Sequence, residues 1–203
     1  MRWGRSRFEG DTVALAQDLI GRVLVRTQRG VRTAGVIVET EAYLGVEDRA
    51  AHSVGARWTA RTAPMFGKPG TAYVFLVYGV HHCFNIASEA EGNPCAILIR
   101  ALEPVDGIGT MHARRGAKRS GRLRERNLCS GPGKLCEALA IDRSLTGVDL
   151  CDHPGVWIEE GEGHAGRGWS LGNGPRIGVD YAGEEWASKP LRWWVEGNAH
   201  VSR

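Results

Sequence analysis

Residues 38–45 read VETEAYLG, and AAHS follows at 50–53. Val36, Val38, Thr40 and Ala42 alternate with Ile37, Glu39, Glu41 and Tyr43, which is the period of a β-strand. Successive strand side chains point to opposite faces, so Glu39, Glu41 and Tyr43 share one, with His52 close behind in the chain. A positioned carboxylate such as Glu41 can take a proton from an attacking water. A second carboxylate at Glu39, and partial burial, both act against its charged form. The competing reading is a pair of solvated strand-edge glutamates, and periodicity alone does not separate the two.

Other stretches carry chemistry-bearing residues with weaker spacing. GPGKL at 131–135 lacks the first glycine and the Ser or Thr of a phosphate loop, so that motif is rejected. A helix N-terminus with Lys134 near its free amides remains, suited to a phosphate; simple capping by Ser130 is the alternative. Tyr73, Phe75, Tyr78, His81, His82 and Phe84 crowd into YVFLVYGVHHCF. Such aromatics either form core or stack on unpaired bases. His81 and His82 point to opposite faces of a strand and have no third ligand at a recognisable spacing, so no metal site is expected.

The elements that must position these residues read as a mixed set. Asp11 and Thr12 cap a short helix with an apolar stripe of Leu15, Ala16, Leu19 and Ile20. Strands are expected at 22–27 and 34–43, a loop at 50–64, and a hairpin or bent strand pair at 71–88 with a break at Gly79. Another strand, PCAILIRALEP, carries Arg100. Helix is expected between Gly107 and Gly121 and again through GKLCEALAI after Pro132. Late strands lie at 156–161 and 191–197, separated by Gly-rich turns. Helices do not alternate regularly with strands, so the class is α+β with a mainly antiparallel sheet and surrounding helices.

Composition bounds the rest. The 203 residues are 42% hydrophobic and 24% charged, ordinary for one soluble globular domain spanning 1–203. No run approaches the roughly 18 apolar residues of a membrane span, and the basic start MRWGRSRFEGD lacks the apolar core of a secretory signal. The five cysteines (Cys83, Cys95, Cys129, Cys136 and Cys151) contain no C-x-x-C pair. They read as buried filler in a reducing, cytoplasmic setting. A net charge of +3 names no partner. Arg114, Arg115, Lys118, Arg119, Arg122, Arg124 and Arg126 form a basic run that fits either a polyanion or a solvated face.

The ordered motifs resemble one family, the alkyladenine (3-methyladenine) DNA glycosylases. They are VETEAYLG, ED-x-A-A-H-S, T-x-R-x-x-x-M-F, KPG-x-x-YV, YG leading to Asn85-Ile86, LIRALEP, LCSGPGKLCEALAI and RIGVDYAGEEWASKPLRWWV. Together they run from about Leu15 to Ser202. The resemblance implies excision of damaged purines (3-methyladenine, 7-methylguanine, hypoxanthine, ethenoadenine) from duplex DNA by hydrolysis of the N-glycosidic bond. It implies a monomer, no metal, no cofactor, no covalent intermediate, and a place on the nucleoid in a bacterium. The buried base must first be flipped out, at a cost of a few kcal/mol. The implied fold carries a protruding hairpin whose Tyr78 intercalates and replaces the lost stacking.

By the same resemblance Glu41 is the general base, and Arg100 helps hold the water and the carboxylate. Ile177 offers a backbone carbonyl to that water. Tyr43 stacks on the flipped base, His52 and Phe75 line its other side, and Asn85 crowds the 2-amino group of undamaged guanine. Glu39 takes a supporting role. Arg57, Arg61 and Lys134 are candidates for phosphate contacts, which make binding fall steeply with salt. The sequence departs from the pattern at Phe75, where tyrosine is common, at Val80, where a larger residue is common, and through the Gly-rich stretch 160–176. A non-catalytic binder of damaged DNA would have no use for Glu41 with Arg100. A hydrolase of free nucleosides would have none for the aromatic wedge.

Overall fold

The computed structural model describes residues 1–116 and 123–202. Among the described residues eight strands join in one sheet: β1 (Val23–Gln28), β2 (Val31–Tyr43), β3 (Ala72–Val77), β4 (His81–Ser88), β5 (Cys95–Asp106), β6 (Val156–Glu159), β7 (Leu171–Gly174) and β8 (Arg192–Val195). The path runs β3-β4-β5-β2-β1-β6, with β8 beside β2 and β7 beside β8, and every pairing is antiparallel. The α+β class expected from the sequence is therefore the one observed.

Strand β2 organises the sheet. One edge pairs with β5 from Ala34 to Tyr43. Its other edge pairs with β1 up to Val36 and then with β8 from Glu39 to Glu41. One face of β2 turns Val38 and Ala42 into the main core, with Leu15, Ala16 and Leu19. Between them the Thr40 hydroxyl donates to the Ala16 carbonyl at 2.7 Å, which satisfies a buried polar group and ties the strand to α1 (Thr12–Asp18). Asp11 caps that helix by accepting from the Ala14 amide at 2.8 Å. The opposite face carries the charged residues. There Tyr73 of β3 pairs with Asn85 of β4, Asn85 with Leu98 of β5, Leu98 with Glu41, and Glu41 with Arg192 of β8. Residues directly opposite on neighbouring strands share a face, so these five form one row.

Helices α2 (Ile108–Gly116) and α3 (Pro132–Leu139) pack together beside the sheet. The helix expected to reach Gly121 is described only to Gly116; residues 117–121 lie outside the described residues. Arg114 donates to the Ala138 carbonyl at 2.9 Å, and buried Arg115 pairs with Glu137. These two join α2 to α3, so this part of the basic run is structural. Pro132 opens α3, but Gly131 holds the cap position with no side-chain bond. Capping by Ser130 is thus corrected.

The Gly-rich stretch holds more order than turns. It contains α4 (Gly163–Gly166) and β7, with α5 (Glu184–Ser188) just beyond. The cause is steric: a Cβ on Gly172 would lie 2.4 Å from the Trp194 ring, so the bare backbone lets β7 pair beneath that indole. The chain turns from β3 into β4 through Tyr78, Gly79 and Val80. Tyr78 and Gly79 have φ of +51° and +72°, the left-handed conformation that hairpin turns of type I′ require. Four of the cysteines are buried and Cys151 half-buried, all as free thiols. No helix among the described residues is long and apolar enough to cross a membrane.

Candidate active site

The charged face of the sheet floors a cavity of about 480 Å³, lined by Tyr43, His52, Phe75, Asn85, Arg100 and Ile177 among others, with Tyr78 at its edge. The volume falls within the range of roughly 300–1,000 Å³ usual for small-molecule sites.

Glu39 and Glu41 both have 0% exposure. Two carboxylates buried side by side would repel and neutralise unless paired. Arg100 pairs both: its Nε lies 3.1 Å from Glu39 and its Nη1 3.0 Å from Glu41. Burial opposes the charge on Arg100, but Glu41 and Glu39 outweigh it and raise its pKa above the ordinary value. A register shift sets this geometry, because Glu39 pairs with Ala101 while Thr40 pairs with Ile99. Arg100 is left as the extra residue of a bulge, a device that re-aims a side chain.

Glu39 is fully engaged elsewhere. It accepts from Arg192 at 3.1 Å, from the Ser202 amide at 2.7 Å and from the Ser202 hydroxyl at 2.9 Å. Glu41 differs. Its Oε1 accepts the Ile177 amide at 2.8 Å and forms an ion pair with Arg100, and its Oε2 accepts the Tyr43 hydroxyl at 2.9 Å. A carboxylate offers about four lone-pair sites, so Oε2 keeps one for a further donor. Burial, and then the Glu41 charge, raise the Tyr43 hydroxyl well above its usual pKa, so it stays a donor.

Tyr43 is held from behind. The Arg176 guanidinium lies 4.7 Å from its ring centroid and forms a fully buried pair with Asp48, at 2.5 and 2.9 Å. Arg176 also donates to the Ala42 carbonyl at 2.9 Å. Asp48 in turn accepts the amides of Leu44 and Ala50, which fixes the turn that delivers His52. Neither Asp48 nor Arg176 stood out in the sequence as a site residue.

His52 bonds through Nδ1 to the Tyr73 hydroxyl at 2.8 Å and through Nε2 to Arg61 at 3.2 Å. A guanidinium only donates, so Nε2 accepts and Nδ1 carries the proton. Burial first, then Arg61 and Arg57, push the His52 pKa from 6.5 down to about 4. Phe75 meets the His52 ring edge-on at 4.6 Å. Asn85 donates to the Tyr73 carbonyl at 3.0 Å.

The structure thus brings Arg100, Tyr43, His52, Phe75, Asn85, Ile177, Tyr78 and Arg61 around one cavity, with Glu41 buried behind its wall and bonded to the lining residues Tyr43 and Arg100. It leaves Arg57 on the exposed loop outside. Lys134 lies apart from it as well, donating to the Ser130 carbonyl at 3.0 Å and hydroxyl at 3.2 Å. Among the lining residues that escaped the sequence reading as site residues are Tyr73 and Tyr181, the latter anchored by its hydroxyl to the Ala50 carbonyl at 2.8 Å.

A family model described as methylpurine-DNA glycosylase matches residues 6–199. The chain belongs to the methylpurine-DNA glycosylase family. Over 206 residues it is 47% identical to a DNA-3-methyladenine glycosylase of Mus musculus and 47% identical to one of Homo sapiens, covering 99% of this chain in each case. It spans 61% of the mouse protein's length and 68% of the human protein's. A putative 3-methyladenine DNA glycosylase of Desulfitobacterium hafniense is 44% identical over 204 residues, covering 99% of this chain and 98% of that protein.

Two outcomes test how this family member holds its site. Asp48→Ala strands the Arg176 charge in the interior and lowers stability by about 3–5 kcal/mol, measured by urea unfolding at neutral pH. Between pH 6.5 and about 4, unfolded His52 binds a proton that folded His52 refuses. Stability is therefore full above pH 6.5 and falls as pH drops through this window. Urea midpoints against pH should show that fall in the wild type and a shallower one in His52→Gln.

Proposed function

We propose that this protein is a monofunctional DNA glycosylase that flips an alkylated or deaminated purine from duplex DNA and hydrolyses its N-glycosidic bond with a water activated by Glu41. The observation that carries the proposal is the buried Glu41 carboxylate. It is oriented by Arg100, Tyr43 and the Ile177 amide with one acceptor position left, and it lies beside an aromatic-lined cavity in a chain of this family.

The chemistry follows from that arrangement. The free lone pair of Glu41 accepts one proton of the water, whose oxygen attacks the sugar C1′. The C1′–N bond breaks with its electron pair leaving on the base, so a cationic alkylated purine departs neutral while a neutral purine takes up one proton from solvent as it leaves. The proton on Glu41 passes to solvent. Arg100 pairs with that carboxylate at 3.0 Å and holds it in place. The Ile177 carbonyl serves as the water's second acceptor while its amide aligns Glu41. Because Glu41 has 0% exposure, water reaches it only when Tyr43 or Arg100 shifts, which couples activation to arrival of the nucleotide.

The flipped base stacks on the free face of Tyr43, with His52 and Phe75 opposite and Asn85 beneath. Tyr78, 91% exposed at the hairpin turn, fills the vacated stack. Arg57 and Lys134 supply phosphate contacts, and each removal should lower the salt slope by about one. The protein acts as a monomer on damaged double-stranded DNA, opening base-excision repair in the compartment that holds the chromosome.

The test is a single-turnover assay on duplex oligonucleotides with one hypoxanthine or ethenoadenine, read as alkali-labile sites, with binding measured in parallel. Glu41→Gln should lose about 10²- to 10⁴-fold in base release and keep its affinity. Tight binding without release by the wild type, on these lesions and on 3-methyladenine and 7-methylguanine, would leave a non-catalytic damage binder.

A further inference from the structure

We infer that Arg61 is a specificity-determining residue that contacts the flipped base, favouring neutral purines with a hydrogen-bond acceptor on the exposed edge over purines that carry a positive charge. The inference rests on the glycosylase reading above. Arg61 lines the cavity rather than pointing away from it. Its Nη2 donates to His52 Nε2 at 3.2 Å, and its Cζ lies 5.1 Å from the centroid of the Phe75 ring.

The charges around the cavity set Arg61 apart. Arg100 is neutralised by Glu39 and Glu41, and Arg176 by Asp48. Arg61 has no carboxylate partner among the described residues, and neutral His52 supplies none. A cationic purine entering the cavity therefore meets a second, uncompensated cation. It also competes with that cation for the electron-rich face of Phe75, since both bind an aromatic ring by the same attraction. A neutral purine meets neither penalty. The bond to His52 occupies one of five guanidinium N–H groups, so others remain to donate to a carbonyl oxygen or ring nitrogen of the base. Hypoxanthine offers both acceptors. On 7-methylguanine the methyl group blocks N7 and the ring carries the charge.

Single-turnover release of hypoxanthine and of 7-methylguanine from matched duplexes tests this, with wild type, Arg61→Met, Arg61→Gln and Arg61→Lys. Arg61→Met should lower the ratio of the hypoxanthine rate to the 7-methylguanine rate about tenfold or more. Arg61→Lys, which keeps charge and donors, should retain most of the wild-type ratio, and Arg61→Gln, which keeps only a donor, should fall between. The exposed position of Arg61 makes its replacement compatible with folding, and thermal melts verify that. An unchanged ratio with both rates slowed alike overturns the inference, because that is what mere support of His52 predicts. A wild type that releases only 7-methylguanine also overturns it. Release of neither base by any of the proteins, with ethenoadenine and 3-methyladenine left in place as well, by contrast sinks the glycosylase reading itself.

Discussion

The site depends on one guanidinium between two buried carboxylates. Glu39 and Glu41 leave the same face of β2 two residues apart, and neither touches solvent. Two like charges buried this close need a cation between them. Arg100 reaches both, and Arg192 adds a second positive charge on Glu39. The cluster is then balanced, two negative charges against two positive. A buried cluster of this kind adds little net stability over an apolar one, but removal of one member leaves an uncompensated charge. Its value lies in where it points the remaining acceptor of Glu41.

A second buried pair extends the same device. Asp48 and Arg176 bracket Tyr43, fix the turn before His52, and place Ile177, the next residue after Arg176, against Glu41. Tyr43 therefore has two faces with different duties: one is backed by Arg176, the other borders the cavity. Its hydroxyl covers Glu41 in the free protein. The same ring that would stack on a base thus also guards the carboxylate, and a displacement of Tyr43 by the base would open the path for water.

Much of this was legible in the sequence wherever short-range periodicity governs. The alternation from Val36 to Tyr43 places Glu39, Glu41 and Tyr43 on one face, and the structure keeps them there. Asp11 before the stripe of Leu15 and Ala16, and Gly79 within an aromatic run, likewise announced a cap and a turn. Pairings between distant segments were not legible. Arg100 owes its aim to a bulge that no local pattern signals. Asp48 and Arg176 stand 128 residues apart, and no local pattern pairs them. The Gly-rich stretch concealed β7, because the reason for Gly172 is the Trp194 ring of another strand. No local pattern announced that the folded loop brings Arg61 to 5.1 Å from the Phe75 ring centroid.

The most direct test of Glu41 as the base is a crystal structure of the protein on duplex DNA that carries a non-hydrolysable hypoxanthine analogue. The predicted result is a flipped base against Tyr43, with an ordered water in hydrogen-bond contact with Glu41 Oε2 and in line with C1′. A base seated in the cavity while Tyr43 still covers Glu41, with no water within reach of its carboxylate, would contradict it.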